Sequence, residues 1–223
     1  MPGMDAMALT MAEEILLLLL DDETGQPVGL KGPAGDLALV GAILMELALA
    51  GRIDTDLDCL TVVDPKPVGD AVLDGALAQL VAPGAARTSR GWIQAFARGA
   101  GPMRTQLLER LVQGGVLRRV EDRFLWVFPE RRYPKAEGRA EVEEVRARLR
   151  HVLLDDSIPE PRDALLIGLA RATGLVPLLL SAEEAARVAP RVERIVALEE
   201  LSRSLGAATR DIYAALMRQG AIH

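Results

Sequence analysis

The chain has 223 residues, half of them hydrophobic but only seven aromatic, which excludes a disordered chain and favours a helical core over a sheet core. Its single cysteine, Cys59, excludes a disulfide framework and a thiolate metal site. The net charge of −6 is uneven, with 3 basic against 14 acidic side chains in residues 1–75, 12 against 5 in residues 76–140, and 11 against 13 in residues 141–223. This balance excludes a general polyanion binder, but the basic middle can attract the phosphates of a lipid surface or a nucleic acid.

The first predicted element is a short helix near the N-terminus. Thr10 and Glu13 have the spacing of a capping box, which predicts a helix over about residues 11–21. Its uninterrupted apolar run, residues 15–20, is far shorter than the roughly 20 residues that span a bilayer. We therefore expect a cytoplasmic protein, peripheral on the inner face of the membrane where it meets one.

The second predicted helix is the centre of the fold. Between residues 37 and 50 the only charged side chain is Glu46, and a helix that is apolar on nearly all sides is enclosed by other helices. Gly51 stands where a C-terminal cap glycine belongs. We expect its large aliphatic side chains to be almost fully buried: Leu39, Ile43, Leu44, Leu47 and Leu49.

The middle of the chain predicts short strands followed by helices. Ile53 and residues 60–63 predict a first small β-hairpin. Three helices are expected here. One covers about residues 70–82, one follows a cap at Ser89, and one runs from Pro102 to Gln113, where Gly114 and Gly115 stop it.

A second hairpin and a helical C-terminal part complete the fold. Residues 116–120 and 124–128 predict two strands around a turn at Glu121 and Asp122. Further helices are expected over about 137–154, 161–172, 182–200 and 207–219. The predicted class is mainly α: a single compact helical domain around a buried central helix or four-helix core, with two small β-hairpins.

The sequence gives little support to catalysis. His151 and His223 are the only histidines, and no nucleophile motif, phosphate-binding loop or histidine–glutamate metal spacing is present. The acidic residues between 54 and 58 do not match a calcium loop. We therefore predict a protein that is not an enzyme, with no cofactor and no metal site.

The second hairpin combines aromatic side chains with arginines. Phe124 and Trp126 alternate with Leu125 and share one face of a strand. Arginines surround them, including Arg118, Arg119 and Arg123. This combination suits a membrane interface, where rings enter the headgroup zone and cations meet anionic lipid. The alternative is that the aromatic face packs on the helices and the arginines are merely solvated.

Arg104 is a second candidate, because it lies early in the predicted helix that begins near Pro102. Backbone N–H groups and the helix dipole favour an anion at such a position, and a guanidinium can hold a phosphate there. The alternative is a purely structural arginine.

Five segments, in this order, resemble the Golgi phosphoprotein 3 family and its bacterial relatives. They are Leu-Thr-Met-Ala-Glu-Glu-Ile-Leu-Leu-Leu (9–18) with Asp-Asp-Glu-Thr-Gly (21–25), Glu-Leu-Ala-Leu-Ala-Gly-Arg-Ile (46–53), Gly-Asp-Ala-Val-Leu-Asp-Gly-Ala-Leu (69–77), Trp-Ile (92–93) and Leu-Glu-Arg-Leu-Val-Gln-Gly-Gly-Val-Leu (108–117). The resemblance makes residues 1–7 an N-terminal tail and 8–223 a Golgi phosphoprotein 3-like domain. It implies a helical peripheral membrane protein that binds phosphatidylinositol 4-phosphate and inserts a hydrophobic hairpin, here 116–128, into the bilayer.

The family's lipid pocket carries over in part. Counted without gaps, its tryptophan falls on Lys31 and its first arginine on Val40, while its two later arginines fall on Gly101 and Arg104. The resemblance therefore implies a headgroup site with Arg104 and Lys31, and a membrane-contacting hairpin with Arg118, Arg119, Arg123, Phe124, Leu125 and Trp126. No basic tail precedes the first motif, so we do not expect the coatomer-adaptor role of eukaryotic members.

Three functions remain open on the sequence. The first is binding of phosphatidylinositol 4-phosphate-like or other anionic lipid headgroups at a membrane surface. The second is a winged-helix DNA-binding regulator, since a long helix, a glycine stop and a hairpin occur twice; few groups of the second long helix suit base edges, so no nucleic-acid partner is expected. The third is a protein–protein scaffold or homo-oligomer assembled through the aromatic hairpin.

Overall fold

The computed structural model describes residues 9–21, 24–26, 28, 34–56, 59–82, 87–122, 130–134, 136, 141–155 and 157–201. The helices of these segments are α1 (Met11–Leu18), α2 (Ala34–Leu49), α3 (Ala71–Val81), α4 (Ser89–Arg98), α5 (Ala100–Gln113), α6 (Glu141–Leu154), α7 (Pro161–Ala172), α8 (Val176–Leu179) and α9 (Ala182–Leu201). The strands are β1 (Ile53–Asp56), β2 (Cys59–Val62), β3 (Arg87–Thr88), β4 (Val120–Asp122) and β5 (Glu130–Arg132). The fold is mainly helical, as the sequence predicts.

Helix α1 begins with the predicted capping box. The Glu13 backbone N–H donates to Thr10 Oγ1 over 3.2 Å, and the Thr10 N–H donates to Glu13 Oε2 over 2.8 Å. These two bonds satisfy groups that a helix start otherwise leaves unpaired. The helix is completely buried and ends at Leu18, three residues earlier than predicted.

Helix α2 is the centre of the core, as its sequence predicts. It contacts α1, α3, α4, α5 and α7, which encloses it on several sides. Leu39, Ile43, Leu44 and Leu47 are at most 2% exposed. The prediction was wrong for Leu49, which is 41% exposed: it is the last residue of α2 and, unlike Leu47 in the same turn, it does not face the core. Gly51 ends the helix with φ +65°, and the Arg52 N–H closes the cap on the Leu47 carbonyl.

The first predicted hairpin belongs to a larger sheet. Strands β1 and β2 pair antiparallel with Ile53 opposite Val62, and β3 pairs with β2 to make three strands. The predicted cap at Ser89 was wrong: the cap of α4 is Thr88, whose Oγ1 accepts the Gly91 N–H over 3.1 Å. Ser89 itself is buried, inside the first turn.

The second hairpin is present, but its strands differ from those predicted. Glu121 and Asp122 lie within β4 and pair with β5, so the predicted turn at these two residues was wrong. Polar residues occur both in turns and in short two-stranded ribbons, so polarity alone did not mark the turn. Residues 123–129, including the predicted strand 124–128, lie outside the described residues.

The C-terminal part is helical. Helix α7 matches its prediction of 161–172, and α9 matches 182–200 within one residue. Helix α6 is described from Glu141, while residues 137–140 and the predicted helix 207–219 lie outside the described residues. The sequence analysis missed α8, a single turn that contains Pro177.

A turn after α1 holds the base of the second hairpin. The Asp21 carboxylate accepts hydrogen bonds from Thr24, and the chain then passes through Gly25 with φ +65°. The Gly25 carbonyl accepts the N–H of Tyr133, the residue that follows β5. Because this glycine is buried against the Tyr133–Pro134 backbone, the position has no room for a side chain.

The start of α9 carries a pH-dependent contact. Two guanidinium nitrogens of Arg150 bond the Glu184 carboxylate at 2.8 and 3.2 Å, and the Ser181 N–H adds a third bond at 2.9 Å. The hydrogen bonds from Arg150 and Ser181 lower the pKa of Glu184 from 4.5 to about 2. A carboxyl whose pKa is depressed by folding stabilises the fold above its unfolded pKa, and this contribution is lost as the pH falls.

We therefore expect Glu184→Gln to destabilise the protein at pH 6 and to have a shrinking effect between pH 4.5 and 2. Urea unfolding of the variant and the parent across this range measures the difference. The neighbouring exposed Glu183 provides the control, since Glu183→Gln leaves the contact with Arg150 intact. A penalty for Glu184→Gln that stays constant down to pH 2 would contradict the prediction.

Candidate functional site

Arg104, the predicted headgroup residue, lies one turn inside α5 and forms an ion pair with Asp36 of α2. The Arg104 side chain is 44% exposed and the Asp36 side chain 28%. Gly99 precedes α5 and makes no side-chain cap hydrogen bond, so the backbone N–H groups of this helix start have no side-chain acceptor there. A cation near the positive end of a helix dipole is an arrangement that favours an anion.

The ion pair joins α2 and α5, the two helices that carry Val40, Gly101 and Arg104. Val40 follows Asp36 by one helical turn on α2, and Gly101 precedes Arg104 by three residues on α5. Val40 is 1% exposed and belongs to the core, whereas Gly101 is exposed at the surface. Lys31, the other predicted headgroup residue, lies outside the described residues.

The arginines before the hairpin lie at the other end of α5. Arg118 is exposed, and its backbone N–H donates to the Pro134 carbonyl over 2.8 Å, which fixes the hairpin base. The Arg119 guanidinium is 3.5 Å from Glu109 Oε1, a long contact between two exposed side chains. About 14 Å of helix separates Arg104 from the end of α5, so these arginines do not share one pocket with Arg104.

The rest of the predicted hairpin site is not described. Arg123, Phe124, Leu125 and Trp126 lie outside the described residues, so the membrane-contacting hairpin stays a prediction.

The exposed charge between residues 88 and 119 is nearly all positive. Arg98 is the last residue of α4, directly before the start of α5, and the other exposed arginines precede or follow it in the sequence. The exposed charged side chains of this stretch are Arg90, Arg98, Arg104, Arg118, Arg119 and Glu109. Within this stretch five exposed cations stand against one exposed carboxylate, a local excess of positive charge that attracts anions. We call this set the basic surface.

A buried polar cluster was missed by the sequence analysis. Three arginines bind five carboxylates from α1, α2, α7 and the start of α3. The members of this polar cluster are Glu13, Glu14, Glu46, Asp70, Asp163, Arg110, Arg148 and Arg162. The sequence does indicate such a cluster, because the carboxylates on the apolar helices α1 and α2 need cations beside them.

Arg162 binds three partners at the polar cluster. Its Nε donates to Glu14 Oε2 and its Nη1 to Glu46 Oε1, both over 3.1 Å, and its Nη2 donates to the Leu9 carbonyl over 2.6 Å. Arg148 binds the other oxygen of Glu14 at 2.9 Å. One α7 side chain therefore connects the N-terminal ends of α1 and α7 with the C-terminal half of α2.

The polar cluster has two more carboxylates than arginines. The positive ends of helix dipoles offset this excess of negative charge. Asp70 caps α3, Asp163 lies in the first turn of α7, and Glu13 lies in the first turn of α1. Each helix start carries roughly half a positive charge, so three of them contribute about +1.5. Burial nevertheless raises the pKa of Glu46, although Arg162 and the Met11 N–H oppose the rise. The three arginines are engaged with these carboxylates, so the polar cluster stabilises the fold and offers no anion site.

The described residues contain no assembled metal centre. No group of three or more histidine, cysteine or acidic side chains among them could hold a metal ion. His151 is exposed on α6, where its Nδ1 lies 2.5 Å from the Asp155 carboxylate one turn later. No helix in the described segments combines the length and the apolar character needed to cross a bilayer.

The fold and the basic surface define a mainly helical protein with an excess of exposed arginines on α4, on α5 and just after α5. The family model of Golgi phosphoprotein 3 (GPP34) matches residues 11–216. The chain therefore belongs to the Golgi phosphoprotein 3 family, which confirms the resemblance found in the sequence. A comparison with curated proteins found no match.

Proposed function

We propose that this protein is a non-enzymatic peripheral membrane protein that binds phosphatidylinositol 4-phosphate-like or other anionic lipid headgroups on the inner face of a cell membrane. The observation that carries the proposal is the basic surface, which has five exposed arginines and a single exposed carboxylate. Family membership supports the same function, since the resemblance implies a lipid-binding protein. Arg104 would hold the headgroup, together with Lys31, and the hairpin between β4 and β5 would contact the bilayer.

Electrostatic attraction of the arginines and burial of aromatic rings both contribute to this binding. Each arginine near an anionic surface contributes about 1 kcal/mol, and salt screens exposed charges over about 8 Å at physiological ionic strength. An aromatic ring buried in the interface adds at most about 1.5–3 kcal/mol, and this contribution does not depend on salt. The two contributions can therefore be separated by ionic strength.

Vesicle co-sedimentation tests the proposal. Arg118, Arg119 and Arg123 changed together to Ser should weaken binding to phosphatidylglycerol-containing vesicles by up to about 100-fold at low salt. The loss should be much smaller at high salt, where the parent also binds less. Leu125→Ser with Trp126→Ser should weaken binding at every salt concentration.

The control has the same change of charge on α7 and α9. Arg171, Arg187 and Arg194 changed together to Ser should leave vesicle binding near the parent value. A parent that does not co-sediment with anionic vesicles, or hairpin variants that bind like the parent, would refute the membrane proposal. Binding to duplex DNA in a parallel assay would instead favour a nucleic-acid function, and a change in oligomeric state on loss of Trp126 would favour a scaffold.

A further inference from the structure

The Arg104–Asp36 ion pair occupies the guanidinium that the proposed function assigns to a lipid headgroup. The two residues lie 68 positions apart in the sequence and join the start of α5 to the first turn of α2. Both side chains are partly exposed, so solvent and a surface anion can reach the pair. The Asp36 carboxylate therefore lies where an anionic ligand of Arg104 would bind.

The pair can open without loss of the fold. An ion pair this exposed contributes little to stability. Asp36 lies in the first turn of α2, where the helix dipole continues to stabilise its negative charge after Arg104 has turned away. Arg104, by contrast, lies near the positive end of α5 and is better placed when an anion is beside it. The arrangement favours exchange of one anion for another.

We propose that Asp36 is an intramolecular competitor for the anion bound by Arg104, and that it lowers the affinity of the protein for anionic membranes. This inference rests on the proposed function. A headgroup phosphate must displace the Asp36 carboxylate from Arg104 before it binds there. Membranes with sparse anionic lipid are then bound more weakly, because this pair raises the charge density needed for binding.

The test compares two substitutions that each remove one carboxylate from an arginine pair. Asp36→Asn frees Arg104, and Asp64→Asn frees Arg52, which it binds at 2.8 Å on another part of the molecule. Both raise the net charge by one, so Asp64→Asn measures the effect of charge alone. Binding to vesicles of phosphatidylcholine with about one fifth phosphatidylglycerol is expected to be about three-fold tighter for Asp36→Asn than for Asp64→Asn.

The same comparison in an Arg104→Ser background isolates the mechanism. There Asp36→Asn should bind no more tightly than Asp64→Asn, because the competitor acts only through Arg104. Inorganic phosphate in the buffer should reduce the advantage of Asp36→Asn if a free phosphate takes the same site, and leave it unchanged if only the lipid surface does. Both results support Asp36 as the competitor, and they show whether Arg104 binds a free phosphate or only the lipid surface.

The outcomes separate this inference from the proposed function. A parent that binds vesicles while Asp36→Asn binds no better than Asp64→Asn overturns the inference alone. Weaker binding by Asp36→Asn overturns it as well, since Asp36 would then orient Arg104 for the ligand. An advantage that persists without Arg104 also overturns it, and failure of every variant to bind refutes both. Asp36→Ser, which removes the same carboxylate, must reproduce the result of Asp36→Asn.

Discussion

Arg162→Ala is expected to lower the free energy of unfolding by about 3 kcal/mol, the lower end of the range for breaking a buried ion pair. Among the described contacts, the substitution leaves Glu46 with the Met11 N–H and Glu14 with Arg148. Glu14 is 6% exposed, so its charge receives little help from water. Arg162 is 34% exposed, which reduces the loss because water reaches the vacated space.

The penalty should depend on pH in a specific direction. Burial raises the pKa of Glu46 in the fold, so the folded protein retains this proton to a higher pH than the unfolded chain. Stability from this group is then present at low pH and is lost as the pH rises through the folded pKa. Arg162 opposes that rise, and its removal raises the pKa of Glu46 further. Arg162→Ala should therefore cost less at pH 5 than at pH 8.

Urea unfolding at these two pH values measures the effect, with Arg171→Ala as the control on the same helix. Arg171 binds Glu193 Oε1 over 2.6 Å, but Glu193 is 57% exposed, so this pair contributes at most about 1 kcal/mol. A penalty for Arg162→Ala no larger than that for Arg171→Ala would mean that the polar cluster contributes no more than a surface pair.

The sequence predicted the helices where local signals determine them. The capping box at Thr10 and the continuous apolar character of α2 are local patterns, and both were confirmed in the structure. The partners of Glu13 and Glu14 could not be predicted in this way, because Arg110 and Arg148 lie 97 and 134 residues further along the chain. Only tertiary packing brings such residues together. Carboxylates on apolar helices are a sign that cationic partners exist, but the sequence analysis did not use it, and it would not have identified those partners.

For the candidate site, too, the sequence pointed to a single residue but not to its partner. Its place early in a predicted helix and the family resemblance both pointed to Arg104, and the structure places it one turn inside α5 with a partly exposed side chain, while its binding of an anion stays a prediction. The ion pair with Asp36 had no sequence signal, since an acidic residue in the first turn of a helix is common and is explained by the dipole alone. The turn of the second hairpin was misplaced because polar residues are tolerated both in turns and in exposed two-stranded ribbons.

Gly25→Ala is expected to destabilise the protein by more than about 3 kcal/mol, because two penalties combine at this position. A left-handed backbone costs a non-glycine residue roughly 1–2 kcal/mol, and Gly25 has φ +65°. A Cβ here would also lie 2.1 Å from the Pro134 nitrogen and from the Tyr133 carbonyl carbon. No side-chain rotation relieves a clash with backbone, so the segment after β5 must move away.

Gly51→Ala is the matched control, since Gly51 has the same φ of +65° and nothing within 4 Å of its Cβ position. It should lose only the backbone part, roughly 1–2 kcal/mol, and the difference between the two variants measures the clash. Movement of the segment would break the bond from Tyr133 N–H to the Gly25 carbonyl and weaken the one from Arg118 N–H to Pro134. Amide hydrogen exchange should therefore accelerate at Arg118 and Tyr133 in Gly25→Ala and not in Gly51→Ala. Equal unfolding free energies for the two variants would show that the turn after α1 does not hold the hairpin base, and the hairpin would then have to be positioned by α5 alone.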